Sequence, residues 1–364
     1  VMNKVNQKTD KVNHSKFSIS LLDWYDKEAR KLPWRIPPEL TKKGIKSDPY
    51  NIWISEIMLQ QTGVKTVQIY YSNFIDKWPN IKKLNDANEN DVLKEWSGLG
   101  YYRRALNLKY CAKIICANYN GKFPENEKEL LKLPGIGSYT AAAIISIAFN
   151  KPAIVIDGNI QRVVARLFEI KEDIKKSKYK IYENSEKIFS QKRPGDFAQA
   201  LMDLGSMICK PVNPICRSCP VIKYCLAYEN NTYKLIPLKT KKLKKIIKKG
   251  YLYIGITTLK EIILIKRPKN GLLGGTICPP SSDWKQNEFP NPNPPFKGEW
   301  KILNESIFHS FTHFNLELKI MISVINTYPK NVYVEPLNSI NLNSFPTVMK
   351  KGVELGIANF INEN

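Results

Sequence analysis

Apolar positions recur at three- and four-residue steps through the first two-thirds of the chain, a period that predicts helices. Leu21, Leu22, Trp24 and Tyr25 mark one over 17–32, broken by Pro33-Trp34-Arg35. Residues 36–48, with Pro37, Pro38 and Gly44, read as a loop. Trp53, Ile57, Val64, Val67, Tyr71 and Phe74 line a long helical stretch over 49–74, read as two helices. One or two more follow over 78–96, with others over 105–119, 178–189 and 197–208. Ile160, Val163, Val164 and Leu167 form a clean apolar face. No convincing strand occurs before residue 250. Beyond it, 251–257, 262–266 and 316–324 read as strands around a Pro/Asn-rich loop at 279–298. The pattern predicts a mainly α first part and an α+β second domain. A chain of 364 residues can hold both. Residues 1–16 read as a disordered tail and 233–250, ending LKTKKLKKIIKKG, as a basic linker.

Charge narrows the partner. The chain carries 56 Lys+Arg against 33 Asp+Glu, a formal +23. That points to an acidic partner, most simply nucleic acid. The chain is also rich in Lys, Asn and Ile, so a merely solvated basic surface stays open. The longest apolar run is too short to span a bilayer. The basic start lacks the apolar core of a signal peptide, so secretion is not expected; a transit peptide stays open. Without secretion, the seven cysteines are not expected to form a disulfide framework.

Candidate chemistry centres on residues 133–159, LPGIGSYTAAAIISIAFNKPAIVIDGN. Gly135 and Gly137 frame a tight turn; Ser138 reads as the N-cap of an Ala-rich helix. Backbone N–H groups of such a turn, with the helix dipole behind them, can grip a phosphate. An apolar run over 153–156 then delivers Asp157 beside that grip. An ordinary helical hairpin, with Asp157 capping the next helix, gives the same pattern. Glu56 lies three residues after Trp53 and four before Gln60 and shares their face. Desolvation there would raise its pKa; a surface Glu at the edge of the stripe is the alternative. Residues 98–104, GLGYYRR, can stack on bases and pair with phosphates, or form a Gly-rich turn with Tyr in the core. Cys209, Cys216, Cys219 and Cys225 are spaced C-x6-C-x2-C-x5-C. Structural zinc usually takes two close-spaced pairs; a single C-x2-C in one compact loop favours a 4Fe–4S cluster. The basic linker can follow a phosphate backbone or act as a solvated tether.

Together these residues resemble the adenine DNA glycosylases of the MutY family, within the helix–hairpin–helix glycosylase superfamily. The resemblance runs from about Phe17 to Leu318. It rests on PWR at 33–35, WISEIMLQQT at 53–62, GLGYYRRA at 98–105, LPGIGSYTAAA at 133–143, VIDGN at 155–159, MDLGSMIC at 202–209 and the cysteine spacing. KRPKNGLLGG at 266–275 and FHSFTHFNLEL at 308–318 resemble the family's Nudix-like recognition domain. The resemblance implies a glycosylase core over 17–232 and a Nudix-like domain over 251–364. Within the core it implies a six-helix barrel at about 47–150 and a cluster domain built from 17–46 and 151–232. Endonuclease III-like glycosylase/lyases share the hairpin and the cluster spacing. They need a Schiff-base lysine where this chain has Tyr139, are not acidic at the position of Glu56, and lack the second domain.

The resemblance implies excision of adenine opposite 8-oxoguanine or guanine in double-stranded DNA, after the base is flipped out. Glu56 is then the general acid on a ring nitrogen. Asp157 stabilises or briefly traps the oxocarbenium-like sugar. Tyr139 and Asn159 orient Asp157 and the purine or nucleophile. Gln61 and Tyr101 enter the base stack, and Arg35 belongs to the base pocket. Phe311-Thr312-His313 stands where the family has Phe-Ser-His against 8-oxoguanine; the added methyl of Thr312 predicts looser recognition. An aromatic strand end packed in a core is the plainer reading of FTHF. Residues 276–300 hold only Asp283, Glu288 and Glu299, so a working Mg²⁺-binding Nudix box is not expected. The implied protein is a monomer, nuclear (and mitochondrial) in a eukaryote, cytoplasmic in a bacterium. A pyrimidine glycosylase/lyase and a non-catalytic iron–sulfur protein that binds damaged DNA are the alternatives.

Overall fold

A computed structural model describes residues 14–238, 244–268 and 270–363. The chain divides into a helical unit, residues 1–85 and 110–241, and a mixed unit, 86–109 and 242–364. Most of the tail expected over 1–16 lies outside the described residues, but helix starts at His14.

The helical unit opens with α1 (His14–Glu28) and a one-turn α2 (Pro38–Thr41) inside the expected loop. The 49–74 stretch is two helices, α3 (Pro49–Leu59) and α4 (Val64–Lys77). Asp48 starts α3 by accepting from the Tyr50 N–H, and Pro49 supplies a preset φ. α3 is apolar on nearly all sides and buried from Tyr50 to Met58, with Asn51 only partly covered. Such a helix sits in a core, and Trp53 meets Phe123 edge to face. The chain continues through α5 (Ile81–Asp86), α6 (Glu89–Glu95), α7 (Arg103–Asn118) and α8 (Glu127–Leu130). α9 (Ser138–Ala143) passes into a π-helical turn, Ile144–Ala148. Ser138 is the first helical residue; the capping position falls to Gly137, whose backbone is extended and which has no side chain to cap with. After α10 (Gly158–Leu167) and α11 (Lys178–Ile188), α12 (Pro194–Asp203) also runs into a π-helical turn, Leu204–Ile208. Both π turns border the cavity described below, a frequent place for such widenings. Gly195 lets α12 close on the first of them: a Cβ there would lie 2.6 Å from the Ser146 carbonyl oxygen. The cysteine loop and the short α13 (Leu226–Glu229) end the unit. Arg166 then donates to the Ile236 carbonyl at 2.8 Å, and Leu238 bridges Asp173, so the start of the expected linker is packed against helices.

The mixed unit is a seven-stranded sheet with β1 (Ile246–Thr257), β2 (Glu261–Lys266), β3 (Ile277–Cys278), β4 (Lys285–Gln286), β5 (Lys301–Ser310), β6 (Phe314–Ile325) and β7 (Tyr333–Pro336). Its path is β3-β2-β1-β6-β5, with β4 on β1 and β7 on β2. β1 and β6 pair in parallel from Ile246–Phe314 to Thr257–Ile325. α14 (Thr347–Glu363) covers one face; a Cβ on Gly352 would lie 2.2 Å from Leu252 Cδ2. β1 starts inside the stretch read as linker. β5 lies in a stretch where no strand was expected, because it is an edge strand with only Leu303 and Ile307 buried and a bulge between Ile302 and Ser306. Residues 86–109, which the resemblance places inside the barrel at about 47–150, group with this unit. Ser97 Oγ donates to the Phe345 carbonyl at 3.1 Å, and Leu93 and Leu106 pack around Gly275. No helix among the described residues is long and apolar enough to cross a membrane.

Candidate active site

Six expected residues converge on one cavity of about 420 Å³ in the helical unit: Arg35, Glu56, Gln61, Tyr139, Asp157 and Asn159. α3 brings Glu56 and α9 brings Tyr139, whose hydroxyl donates to Glu56 Oε2 in a short hydrogen bond. The resemblance implies that Tyr139 helps orient Asp157 and the purine or nucleophile; its hydroxyl donates to Glu56, and Asp157 acts on it electrostatically. The apolar run before Asp157 delivers it, half-buried, to the start of α10. There it is both the cavity's second carboxylate and a helix cap, so the two readings of Asp157 hold together. Its Oδ1 accepts from the Ile160 N–H at 2.7 Å and its Oδ2 from Asn159 Nδ2 at 2.8 Å.

The carboxylates differ in surroundings. Glu56 is 5% exposed, and burial pushes its pKa up to about 7. The Tyr139 hydrogen bond and the Arg35 charge pull it down; the Asp157 charge pushes it further up. Asp157 is also raised by burial, against the opposing Ile160 and Asn159 hydrogen bonds. Arg35 does not hold Glu56 ionised, because its guanidinium is committed elsewhere. Its Nη1 donates to Asp203 Oδ2 at 2.7 Å, and Arg30 Nε meets Asp203 Oδ1 at 2.6 Å. Fully buried Asp203 thus binds both arginines and offsets one of their two charges. Burial thus makes a proton available on Glu56 near neutral pH, beside a second carboxyl whose oxygens accept from N–H donors, an arrangement suited to general acid chemistry at a glycosidic bond.

Sequence reasoning missed Arg30, Asp203, Ser206, Arg162 and Gly205. Asp203, Gly205 and Ser206 lie in the MDLGSMIC segment without any pattern to give them roles. Arg30 Nη1 reaches Ser206 Oγ at 3.1 Å. Arg162, one turn after Asn159 on α10, donates to Asn159 Oδ1 (2.9 Å), the Gly205 carbonyl (2.6 Å) and the Cys209 carbonyl (2.7 Å). It ties the carboxylate pocket to the start of the cysteine loop.

Gly135 has φ +80°, which only glycine adopts freely; exposed Gly137 has open space where a Cβ would sit. Gln61 and Tyr101 are exposed and left-handed, at φ +63° and +49°.

The other expected residues belong elsewhere. Tyr101 lies in the mixed unit, where its hydroxyl contacts Thr312 Oγ1 in a short hydrogen bond. Phe311, Thr312 and His313 form the tip between β5 and β6. Phe311 stacks on Trp284 (centroids 6.0 Å apart), while Thr312 and His313 are exposed. These residues and Tyr101 line a second cavity of about 280 Å³. Cys209, Cys216, Cys219 and Cys225 are all free thiols in one loop. Cys209, Cys216 and Cys225 each act electrostatically on Cys219. Arg166 Nη1 lies 3.2 Å from Cys209 Sγ. No three His, Cys, Asp or Glu side chains among the described residues form a single-ion site.

Residues 54–191 match the model of the HhH-GPD superfamily of base excision DNA repair proteins. The chain is 37% identical over 316 residues to the adenine DNA glycosylase of Buchnera aphidicola subsp. Schizaphis graminum, covering 83% of this chain and 86% of that protein. It is 39% identical over 320 residues to the adenine DNA glycosylase of Buchnera aphidicola subsp. Baizongia pistaciae, covering 85% and 86%. Among solved structures, a thermostable thymine-DNA glycosylase superposes with a TM-score of 0.53 at 30% identity, over 61% of this chain and 98% of that one.

Proposed function

The chain belongs to the adenine DNA glycosylases of the HhH-GPD base excision repair superfamily, and we propose that it excises adenine opposite 8-oxoguanine or guanine using Glu56 and Asp157. The observation that carries this reading is the unlike pair of carboxyls in one cavity, Glu56 raised to about 7 and Asp157 capped by backbone N–H. Adenine inside a duplex is out of reach, so it is flipped into the cavity. Protonated Glu56, oriented by Tyr139, gives its proton to a ring nitrogen of adenine. The electrons of the N-glycosidic bond leave with the base. Asp157, held by Ile160 and Asn159, faces the positive sugar. Water adds at the anomeric carbon and loses a proton, leaving free adenine and an abasic site. Arg30 and Arg35, fixed on Asp203, wall the base pocket.

The turn at Gly135–Gly137 holds a DNA phosphate through its N–H groups. Gln61 and Tyr101 enter the base stack, and Phe311, Thr312 and His313 meet the base opposite adenine. Tyr139 is no Schiff-base former, so strand cleavage by a lyase step is not part of the reading. The test is single-turnover release of adenine from duplexes with A opposite 8-oxoguanine, G or T. Free adenine from the first two, with scission only after hot alkali, is expected. Scission without alkali would overturn the monofunctional assignment; binding without release would overturn the enzymatic one.

Four free thiols that interact electrostatically within one loop, with Arg166 beside Cys209, have the donor chemistry of a 4Fe–4S site. Cys209, Cys216, Cys219 and Cys225 would hold it. When bound, the cluster supplies a cross-link that fixes the loop after α12. Arg162 would carry that rigidity to Asn159. Cys219→Ala is expected to lose bound iron and to unfold about 5 °C or more lower. Full iron content in this variant would remove Cys219 from the ligand set.

A further inference from the structure

Lys245, the residue just before β1, has a place in the structure that neither a phosphate-following segment nor a solvated tether describes. β1 and β6 run parallel, with Ile246 level with Phe314. Lys245, one residue earlier, is therefore level with the tip of the β5–β6 hairpin. Its Nζ donates to the Phe311 carbonyl at 2.6 Å and to Ser310 Oγ at 2.9 Å. Ser310 Oγ in turn lies 2.9 Å from Asn315 Oδ1, and the Phe311 N–H closes the turn on the Phe314 carbonyl at 2.9 Å. On the other side the tip is shaped by packing, Phe311, Trp284 and Phe314 forming a triangle of rings in mutual contact. Rings fix the Phe311 side chain. They do not fix the backbone that aims Thr312 and His313, both exposed. An ammonium donating to that backbone does.

We infer that Lys245 is a positioning residue for recognition of the base opposite adenine, setting the angle of the 311–313 tip before DNA arrives. This rests on the reading of Phe311, Thr312 and His313 as the contact to that base. A preset tip spares the ordering that a free loop undergoes on binding, so the gain falls on the substrate whose opposing base the tip reads.

The test compares single-turnover adenine release from duplexes with A opposite 8-oxoguanine and A opposite G, for wild type, Lys245→Met, Lys245→Arg and Thr312→Ala. Binding to an undamaged duplex is measured alongside. Lys245→Met is expected to lower the 8-oxoguanine/G rate ratio about fivefold to tenfold, the size of one lost hydrogen bond at an exposed site. Lys245→Arg, which keeps charge and donors, restores most of the ratio. Binding to the undamaged duplex stays near wild type. A uniform loss of affinity on all duplexes would mean that Lys245 contacts phosphate, and would overturn the inference. If Thr312→Ala lowers the ratio and Lys245→Met does not, the tip reads the base without Lys245 and the inference fails alone. If neither variant moves it, the reading of the tip fails and the inference with it.

Discussion

Glu56→Gln is expected to stop adenine release and, above neutral pH, to make the folded protein more stable. A general acid contributes about 10² to 10⁴ in rate, and Gln has no proton to give. The stability effect follows from the same burial. Glu56 titrates at about 7 in the folded protein against 4.5 when exposed. Below about 4.5 it is protonated in both states and adds no pH dependence. Between 4.5 and 7 the folded state holds the proton more tightly, so stability falls as pH rises. Above 7 the cost of a buried carboxylate is felt in full, on the order of 3–4 kcal/mol at about 1.4 kcal/mol per pH unit. Gln removes that cost and can still accept from Tyr139. Denaturant unfolding of both proteins at pH 5 and pH 8 should show the variant's advantage mainly at pH 8. An equal advantage at both would refute an ionised, buried Glu56. In the wild-type enzyme the rate should decline as pH rises through about 7. It should also decline on the acid side as Asp157 protonates, above the usual aspartate range because burial raises it.

What could be read in the sequence follows from how local each signal is. The turn at Gly135, the delivery of Asp157 and the apolar face after it are set by neighbours in the chain, and the structure has them. Glu56 was readable because a helix period ties it to Trp53. Ser138 was misread by one position, since a glycine extended at 137 takes the cap. The Tyr139 hydrogen bond to Glu56 joins residues 83 apart, which no local pattern shows. Asp203, with Arg30 and Arg35 some 170 residues away, left no local signal at all. Edge strand β5 was invisible for another reason: exposed on most of its length, it lacks the alternation that marks a half-buried strand. The helices within 78–96 and 105–119 are legible, but periodicity does not say which core a helix joins, and 86–109 group with the mixed unit.

The second large effect is expected at Gly205, a residue with no reacting atom. Gly205 lies in the π-helical turn after α12, against the first turn of α10. A Cβ built on it would lie 2.7 Å from Asn159 Cβ and 3.1 Å from the Asn159 carbonyl oxygen. Neither neighbour is the loose end of a long side chain, so backbone must move. What moves is the mount of the catalytic carboxylate. Asn159 Nδ2 holds Asp157 Oδ2, and Arg162 bridges Asn159 Oδ1 to the Gly205 carbonyl. Pushing Asn159 away from Gly205 stretches that bridge and turns Asp157 from the sugar. Gly205→Ala should cost about 1–3 kcal/mol of stability through overpacking. Its rate of adenine release should fall roughly 100-fold, since displacements approaching 1 Å at a reacting group cost that much. The two losses separate experimentally. At a temperature where unfolding curves show the variant fully folded, single-turnover release on saturating DNA should still be slow, with duplex binding little changed. A rate that follows only the folded fraction would mean that Gly205 is needed for packing and that Asn159 does not transmit its position to Asp157. A slow but folded variant would place the geometry of the carboxylate pocket under control of a helix end outside it, through the contact that the widened turn makes possible.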